Sequence, residues 1–309
     1  MIPKHYIKQF IQVKAQELGF LHVGFSKARR LDEEETSLTN YLEKQMNGSM
    51  SYLENYFDMR LDPQILVPGA KTIISFAFNY FPNETQSEGT YLIAKYAYGK
   101  DYHDVVKEKL RSLMETLRQE VGEINGRVFV DSAPVLEKAW ARLSGIGWLG
   151  KHGLMIRPKQ GSFFFLGEII CDLEIEPDEP MKDLCGTCTK CLDACPTNAL
   201  ETPYIVNGSK CISYATIEFK DTTIDPSFEG KMNDWIFGCD ICQDVCPWNR
   251  FSKPHQEAQF IPHAALLSLS KADWESLEVT KYQELFKGSA VKRTKFSGLT
   301  RNIQFAKNT

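Results

Sequence analysis

No apolar run in this 309-residue sequence approaches the roughly 18 residues that cross a bilayer, so no membrane-spanning segment is expected. The opening stretch, MIPKHYIKQFIQVKAQELGF, carries charge throughout. It has no apolar core ending at a small-residue cleavage site and no paired arginines, which argues against export and points to the cytoplasm. A dinucleotide fingerprint is missing as well. Gly145, Gly147 and Gly150 spell GxGxxG, but they follow a helical stretch and run into the strand-like residues 154–157. The motif needs a strand before it and a helix after it, so this glycine run reads as a chain reversal. A disulfide framework is not needed either, because a chain this long buries a core without staples. With 43% hydrophobic and 25% charged residues, what remains is an ordinary folded protein of about two domains.

Cysteine, by contrast, is concentrated in one place. Eight of the nine fall between Cys185 and Cys246. The first half reads Cys185-x2-Cys188-x2-Cys191-x3-Cys195-Pro196, and the second reads Cys239-x2-Cys242-x3-Cys246-Pro247, with Cys211 alone between them. Three thiolates two residues apart wrap one corner of a 4Fe–4S cubane, while the cysteine before proline turns toward a second cluster. One cluster would take Cys185, Cys188, Cys191 and the distant Cys246. The other would take Cys195, Cys211, Cys239 and Cys242. A pair of structural zinc sites would also use eight thiolates with C-x2-C spacing, and it stays open as an alternative, although zinc ribbons rarely show the third x2 step followed by x3-Cys-Pro. The ninth, Cys171, lies in an apolar run and reads as a core thiol.

Charge is uneven. The net value is −4, yet residues 281–309 hold Lys281, Lys287, Lys292, Arg293, Lys295, Arg301 and Lys307 against Glu284 alone. A basic tail on an acidic body suggests a polyanionic partner, with a solvated helical end as the bland alternative.

In chain order, residues 4–19 read as a helix, 20–26 as a short strand and 38–56 as helical. The proline- and glycine-rich stretch 60–70 reads as an ordered loop. Residues 71–81 form a strand apolar on both faces, 105–121 an amphipathic helix, and 126–131 a short strand ending at Asp131, which serves either catalysis or a helix N-cap. Residues 134–143 are helical by period and 162–171 form another buried strand. Acidic, proline-containing residues after Asp172 mark a linker. The expected fold is α+β: an α/β reductase domain over 1–171, a ferredoxin-like two-cluster domain over 172–250 and a short helical basic segment over 251–309. Two low-potential clusters beside a separate domain imply delivery of single electrons to something held there. No flavin motif is present, and the corrinoid pattern Asp-x-His-x-x-Gly fails, because Asp101-x-His103 meets Val106 where glycine is required.

Arg60-Leu-Asp-Pro, Tyr96-Ala-Tyr-Gly99 with Asp101-Tyr-His103, Val130-Asp131, Gly145-Ile-Gly-Trp148 with Gly150-Lys-His152, the cysteine runs, Lys210-Cys-Ile-Ser213, and Lys292-Arg-Thr with Gly298-Leu-Thr-Arg301-Asn302 follow one another along nearly the whole chain. Together they closely resemble the epoxyqueuosine reductase family, cobalamin-dependent enzymes related to reductive dehalogenases. That resemblance implies removal of the epoxide oxygen of epoxyqueuosine, at the wobble position of tRNAs with GUN anticodons, to give queuosine. It implies a first domain holding cobalamin, two 4Fe–4S clusters that reduce its cobalt, and Asp131 as proton donor with a pKa raised in a dry pocket. It also implies cobalamin contacts at Arg60, Ala94, Asp131, Met155, Leu166, Ser213 and Asp240. Ala94 stands where some members have cysteine, so no thiol is required there.

With RNA as substrate, Lys292, Arg293 and Arg301 become candidate tRNA contacts, since phosphates supply much of the affinity. Many relatives continue into HEAT-like repeats where this sequence stops at Thr309, so part of their RNA surface is expected to be missing. Other expected features are an external low-potential electron donor such as ferredoxin or flavodoxin, no membrane, and a monomeric state. Two other classes remain: a corrinoid and iron–sulfur dehalogenase of a small halogenated molecule, and a ferredoxin-type electron-transfer protein with no substrate of its own.

Overall fold

The computed structural model describes residues 3–308. Helix α1 (Lys4–Glu17) leads through a turn at Gly19 into strand β1 (His22–Lys27), followed by α2 (Asp32–Glu43), α3 (Phe57–Leu61) and α4 (Pro63–Leu66). Strand β2 (Thr72–Asn79) precedes a two-residue strand β3 (Leu92–Ile93), the long α5 (Tyr102–Val121), β4 (Gly126–Phe129) and α6 (Glu137–Leu143). A small hairpin, β5 (Trp148–Leu149) and β6 (Met155–Ile156), leads to β7 (Phe164–Cys171).

Four strands form one antiparallel sheet in the order β1-β2-β7-β4. β2 and β7 are central and buried along nearly their whole length, which is why their sequences are apolar without alternation. One face is covered by α1 and α5. The α5 stripe of Val105, Val106, Leu110, Leu113, Met114 and Leu117 packs there with Phe76, Phe78 and Ile169. The other face carries α6 through Ala139 and Trp140, together with Leu61, Val67, Ile73 and Ile170. The layers are helix, sheet, helix in a mixed α+β architecture, as expected.

Three local expectations are corrected. The helix expected over 38–56 ends at Glu43, where residues 44–50 turn around Gly48 at φ +56°. A Cβ on Gly48 would lie 2.6 Å from the Tyr214 ring, so the chain stays thin there. The loop expected over 60–70 contains α3 and α4: Asp62 accepts the Gln64 N–H at 2.9 Å and Pro63 occupies the first helical position, a start signal rather than a break. Lastly, α6 begins at Glu137 and not at Pro134, after a turn set by Asp131.

The cysteine-rich segment is short-element structure: α7 (Lys190–Asp193), strand β8 (Trp235–Phe237) and α8 (Ile241–Asp244). β8 pairs in parallel with β3 across the expected domain boundary. The C-terminal helices α9 (Ala264–Ser268), α10 (Lys271–Glu275), α11 (Val279–Leu285) and α12 (Lys295–Asn308) share a core with Tyr91, Ile93, Tyr98, Ile236 and Phe237. No helix among the described residues is long and apolar enough to cross a membrane.

Candidate functional site

All nine cysteines are free thiols. Cys185, Cys188, Cys191 and Cys246 line one small cavity with Lys151, His152, Pro247 and Trp248. Around it, Trp148 directs Nε1–H at the Cys185 sulfur at 3.4 Å, and Lys151 Nζ ties down the Gly186 and Cys188 carbonyls at 2.6 and 3.0 Å. The other four act on one another: Cys211 and Cys195 both bear on Cys239, and Cys239 and Cys211 on Cys242, which also feels Cys191 of the first set. The cavity thus joins Cys185, Cys188 and Cys191 to Cys246 from the far half of the segment. Burial, then crowding by Cys246, pushes Cys191 up to about 11, and burial pushes Cys239 and Cys242 well above the ordinary thiol range. Such groupings are stable as thiolates only around a cation that replaces their protons. Among the described residues no three His, Cys, Asp or Glu side chains converge as a single-ion site. Gly238 precedes Cys239 at φ +70°, with Ala94 so close that a Cβ would meet it at 2.6 Å. Cys171 is fully buried in the sheet, its thiol pushed up to about 12 by burial.

Asp131 lies just beyond β4 in the left-handed region, φ +46°, its N–H donated to Glu137 Oε1 at 2.5 Å. Its carboxylate accepts the Tyr102 hydroxyl and lies 3.5 Å from His103 Nε2. Tyr102 is held flat against Phe165, ring centroids 4.1 Å apart and 4° from parallel. His103 is oriented from behind, its Nδ1 2.7 Å from Asp101 Oδ1, the same oxygen that caps α5 through the His103 N–H. Asp101-Tyr102-His103 thus acts as a unit: a helix cap whose next two side chains both reach Asp131. The sequence displayed this triplet, but only the packing of α5 beside β4 gives it a role.

Protonation here differs from the expectation. Burial works to raise Asp131, but hydrogen bonds from His103 and Tyr102 outweigh it and hold the carboxyl below its ordinary value. Burial likewise opposes charge on His103, yet Asp101 and Asp131 overcome it and raise the imidazole to about 9. A raised Asp131 pKa is therefore corrected: in this arrangement Asp131 is the anion and His103 carries the proton near neutral pH.

The Asp131 side chain is 59% exposed, so the cluster it forms with Tyr102 and His103 opens at the surface. Lys138 shares that setting, its Nζ 2.7 Å from the Gly153 carbonyl, and its charge is felt by Cys242 and Cys211 of the second quartet. Tyr52 feels the charges of Glu218, Arg293, Asp131 and Arg60. The remaining expected cofactor contacts fall in four places. Arg60 is buried, donating to the Tyr52 and Asn55 carbonyls at 2.7 and 3.2 Å. Ala94 is buried beside Gly238, and Asp240 accepts the Lys95 N–H at 2.8 Å and pairs with its Nζ at 3.4 Å. Met155 and Leu166 meet in one apolar cluster. Ser213 is partly exposed two residues beyond Cys211.

Two of the three expected RNA contacts already have partners within the fold. Arg301 spends all five guanidinium N–H donors within the fold, on the Ala215, Phe219 and Asp221 carbonyls and on Asn302 Oδ1. It staples α12 to the segment after Cys211. Arg293 forms a two-pronged ion pair with Glu218, at 2.7 and 2.8 Å. Lys292 is exposed, its N–H donated to the Ser289 carbonyl at 3.2 Å and its side chain in no hydrogen bond or ion pair among the described residues.

A family described as epoxyqueuosine reductase QueG, DUF1730 matches residues 60–132, and a 4Fe-4S double cluster binding domain matches residues 184–249. An epoxyqueuosine reductase from Cellulophaga algicola is 56% identical over 307 residues, covering 99% of this chain and 100% of the relative. Among solved structures, an epoxyqueuosine reductase with an epoxyqueuosine-modified tRNA-Tyr stem loop superposes with a TM-score of 0.91 at 29% identity, covering 98% of this chain and 81% of that one. The Bacillus subtilis epoxyqueuosine reductase, solved with a catalytic aspartate loop swung out of the active site, matches with a TM-score of 0.90 at 29% identity, covering 98% and 82%.

Proposed function

As a member of the epoxyqueuosine reductase family, the chain is an oxidoreductase that reduces epoxyqueuosine, and we propose that it does so at the wobble position of tRNAs with GUN anticodons, using cobalamin and two 4Fe–4S clusters. The observation that carries this reading is the cluster at the surface beyond β4, where Asp131 accepts the Tyr102 hydroxyl and lies 3.5 Å from His103 Nε2, with Lys138 linking it electrostatically to Cys211 and Cys242.

The residues present fit both groups. The quartet Cys185, Cys188, Cys191 and Cys246 encloses a cavity rather than converging on one point, which suits a cubane that brings its own iron and sulfide. Cys185, Cys188, Cys191 and Cys246 would hold one cluster, and Cys195, Cys211, Cys239 and Cys242 the other. In this reading a recess over Asp131 would take the planar cofactor, with Arg60, Ala94, Met155, Leu166, Ser213 and Asp240 holding cobalamin there. When bound, cobalamin supplies the two-electron chemistry at the epoxide carbon, fed by the clusters.

The protein's own task is the proton. An epoxide oxygen leaves only if it is protonated, so a positioned acid is needed. Asp131, lined up by Tyr102 and charged by His103, is the group that would hand the proton over, drawing it from the imidazolium beside it. The left-handed backbone at Asp131 is a strained position that Glu137 fixes, suiting a residue whose direction matters. In the tail, Lys292 is the remaining candidate phosphate contact of the three. An anticodon loop presents its wobble base unpaired, so moving that base into the recess costs about a few kcal/mol of unstacking and no helix opening.

Anaerobic reconstitution with iron, sulfide and cobalamin tests this reading. Eight irons per chain, the added visible bands of a bound corrin, and conversion of the epoxide in an anticodon stem-loop are the expected results. Clusters without corrin bands would leave an electron-transfer protein. Turnover of a halogenated small molecule with none of the stem-loop would favour a dehalogenase.

A further inference from the structure

Replacing an epoxide by a carbon–carbon double bond consumes two electrons and two protons and releases one water. The electrons come from the clusters under the reading above, on which this inference rests. His103 accounts for one proton. Once a nucleoside fills the recess, bulk water is shut out, so a second proton must already be stored nearby.

Behind Asp131 lie two carboxyl groups without a role so far. Glu168 sits in the middle of β7, opposite Phe129 on β4 and Ser75 on β2, fully buried in the sheet. Neither of its oxygens meets strict hydrogen-bond geometry with any described residue. The carboxyl that bears most strongly on it is that of Glu137, and Glu137 Oε1 takes the Asp131 N–H at 2.5 Å. A bare carboxylate in that position would carry an unsolvated charge next to two others, an arrangement proteins relieve by keeping a proton. We propose that Glu137 and Glu168 hold one proton between them and pass it to Asp131, supplying the second of the two protons that the reduction consumes.

The surrounding charges agree. Burial, followed by Asp131, raises Glu137 to about 8, and burial, followed by Glu137, raises Glu168 well above the carboxylate range. His103, Tyr102 and Lys138 also face the group. The His103 charge opposes the rise at Glu137, Tyr102 is bonded to Asp131, and Lys138 is engaged by the Gly153 carbonyl. In balance, the pair gives its proton to Asp131, Asp131 gives it to the leaving oxygen, water departs, and the emptied recess lets solvent refill the pair. Neither glutamate touches substrate in this scheme; both are positioning residues that act through Asp131.

Infrared difference spectra and single-turnover rates test the proposal on reconstituted enzyme. Wild type should show a protonated-carboxyl carbonyl band at pH 7 that titrates near pH 8 and is lost in E168Q. On an epoxide-bearing anticodon stem-loop, E168Q should keep its affinity and iron content. Its turnover should fall by about ten- to a hundredfold, the low end for positioned proton donors. Its pH profile should also lack the decline that wild type shows above pH 8. E137Q retains the acceptor for the Asp131 N–H, so an equal loss there marks proton storage, whereas full activity would mean that Glu137 only holds the loop. An absent band, an unchanged band in E168Q or superimposable pH profiles would overturn the proposal. If wild type leaves the epoxide intact, the functional reading fails and delivery fails with it, while the band separately reports whether the pair stores a proton.

Discussion

Replacing His103 with glutamine removes a charge without removing the ring's approximate volume, and its effect on stability has a definite sign with pH. The imidazole is raised from 6.5 to about 9 because Asp101 and Asp131 outweigh its burial. At 1.36 kcal/mol per pH unit that difference corresponds to about 3 kcal/mol, and to about 2 kcal/mol once partial solvent access is allowed for. A group raised in the folded state stabilises fully below its unfolded value and loses that contribution as pH climbs through the folded value. Wild type should therefore exceed H103Q by about 2 kcal/mol at pH 6, by less at pH 8, and by nearly nothing at pH 10. In a chain of this size that is roughly a 3 °C gap in thermal midpoint at pH 6, measurable by fluorescence on samples of matched iron content. A gap that stays constant with pH, or widens toward pH 10, would refute the ion-pair account of this site.

Asp131→Asn should keep both clusters and stem-loop affinity while epoxide turnover falls by about 10²–10⁴, checked by single-turnover product analysis. Arg301→Ala should destabilise the fold by about 2–4 kcal/mol, because it orphans three carbonyls that received charged donors, and should leave the salt dependence of tRNA binding unchanged. Lys292→Ala should lower the slope of log affinity against log salt by about 0.7–0.9, the effect of one phosphate contact, in titrations from low to high salt. Cys171→Ser should leave the iron content per chain unchanged, since that thiol is inside the sheet and away from both quartets.

Much of the architecture was readable in one dimension because it depends on local periodicity. The uninterrupted apolar runs at β2 and β7 announce strands covered on both faces, and the stripe on α5 announces a helix against a sheet. The cysteine quartets were legible because ligand spacing is local chemistry. Less visible were Asp62-Pro63, where proline starts a helix instead of ending one, and the turn around Gly48, which is imposed by Tyr214 from 166 residues away in sequence.

The residues that decide protonation were beyond reach of any such pattern. Glu168 reads as one polar interruption in an apolar strand, and Glu137 as the ordinary acidic start of a helix; only the pairing of β4 with β7 puts the two together behind Asp131. Arg301 and Arg293 show the opposite case, since positive charge in a tail is visible in sequence but its partners are not. The sequence by itself determined the element types, the cluster-ligand pattern and the family, all of which rest on residue identity and spacing. Tertiary structure alone decided which side chains meet Asp131, which arginine is spent and which carboxyl is buried without a partner, because those depend on burial and on distances between groups far apart in the chain.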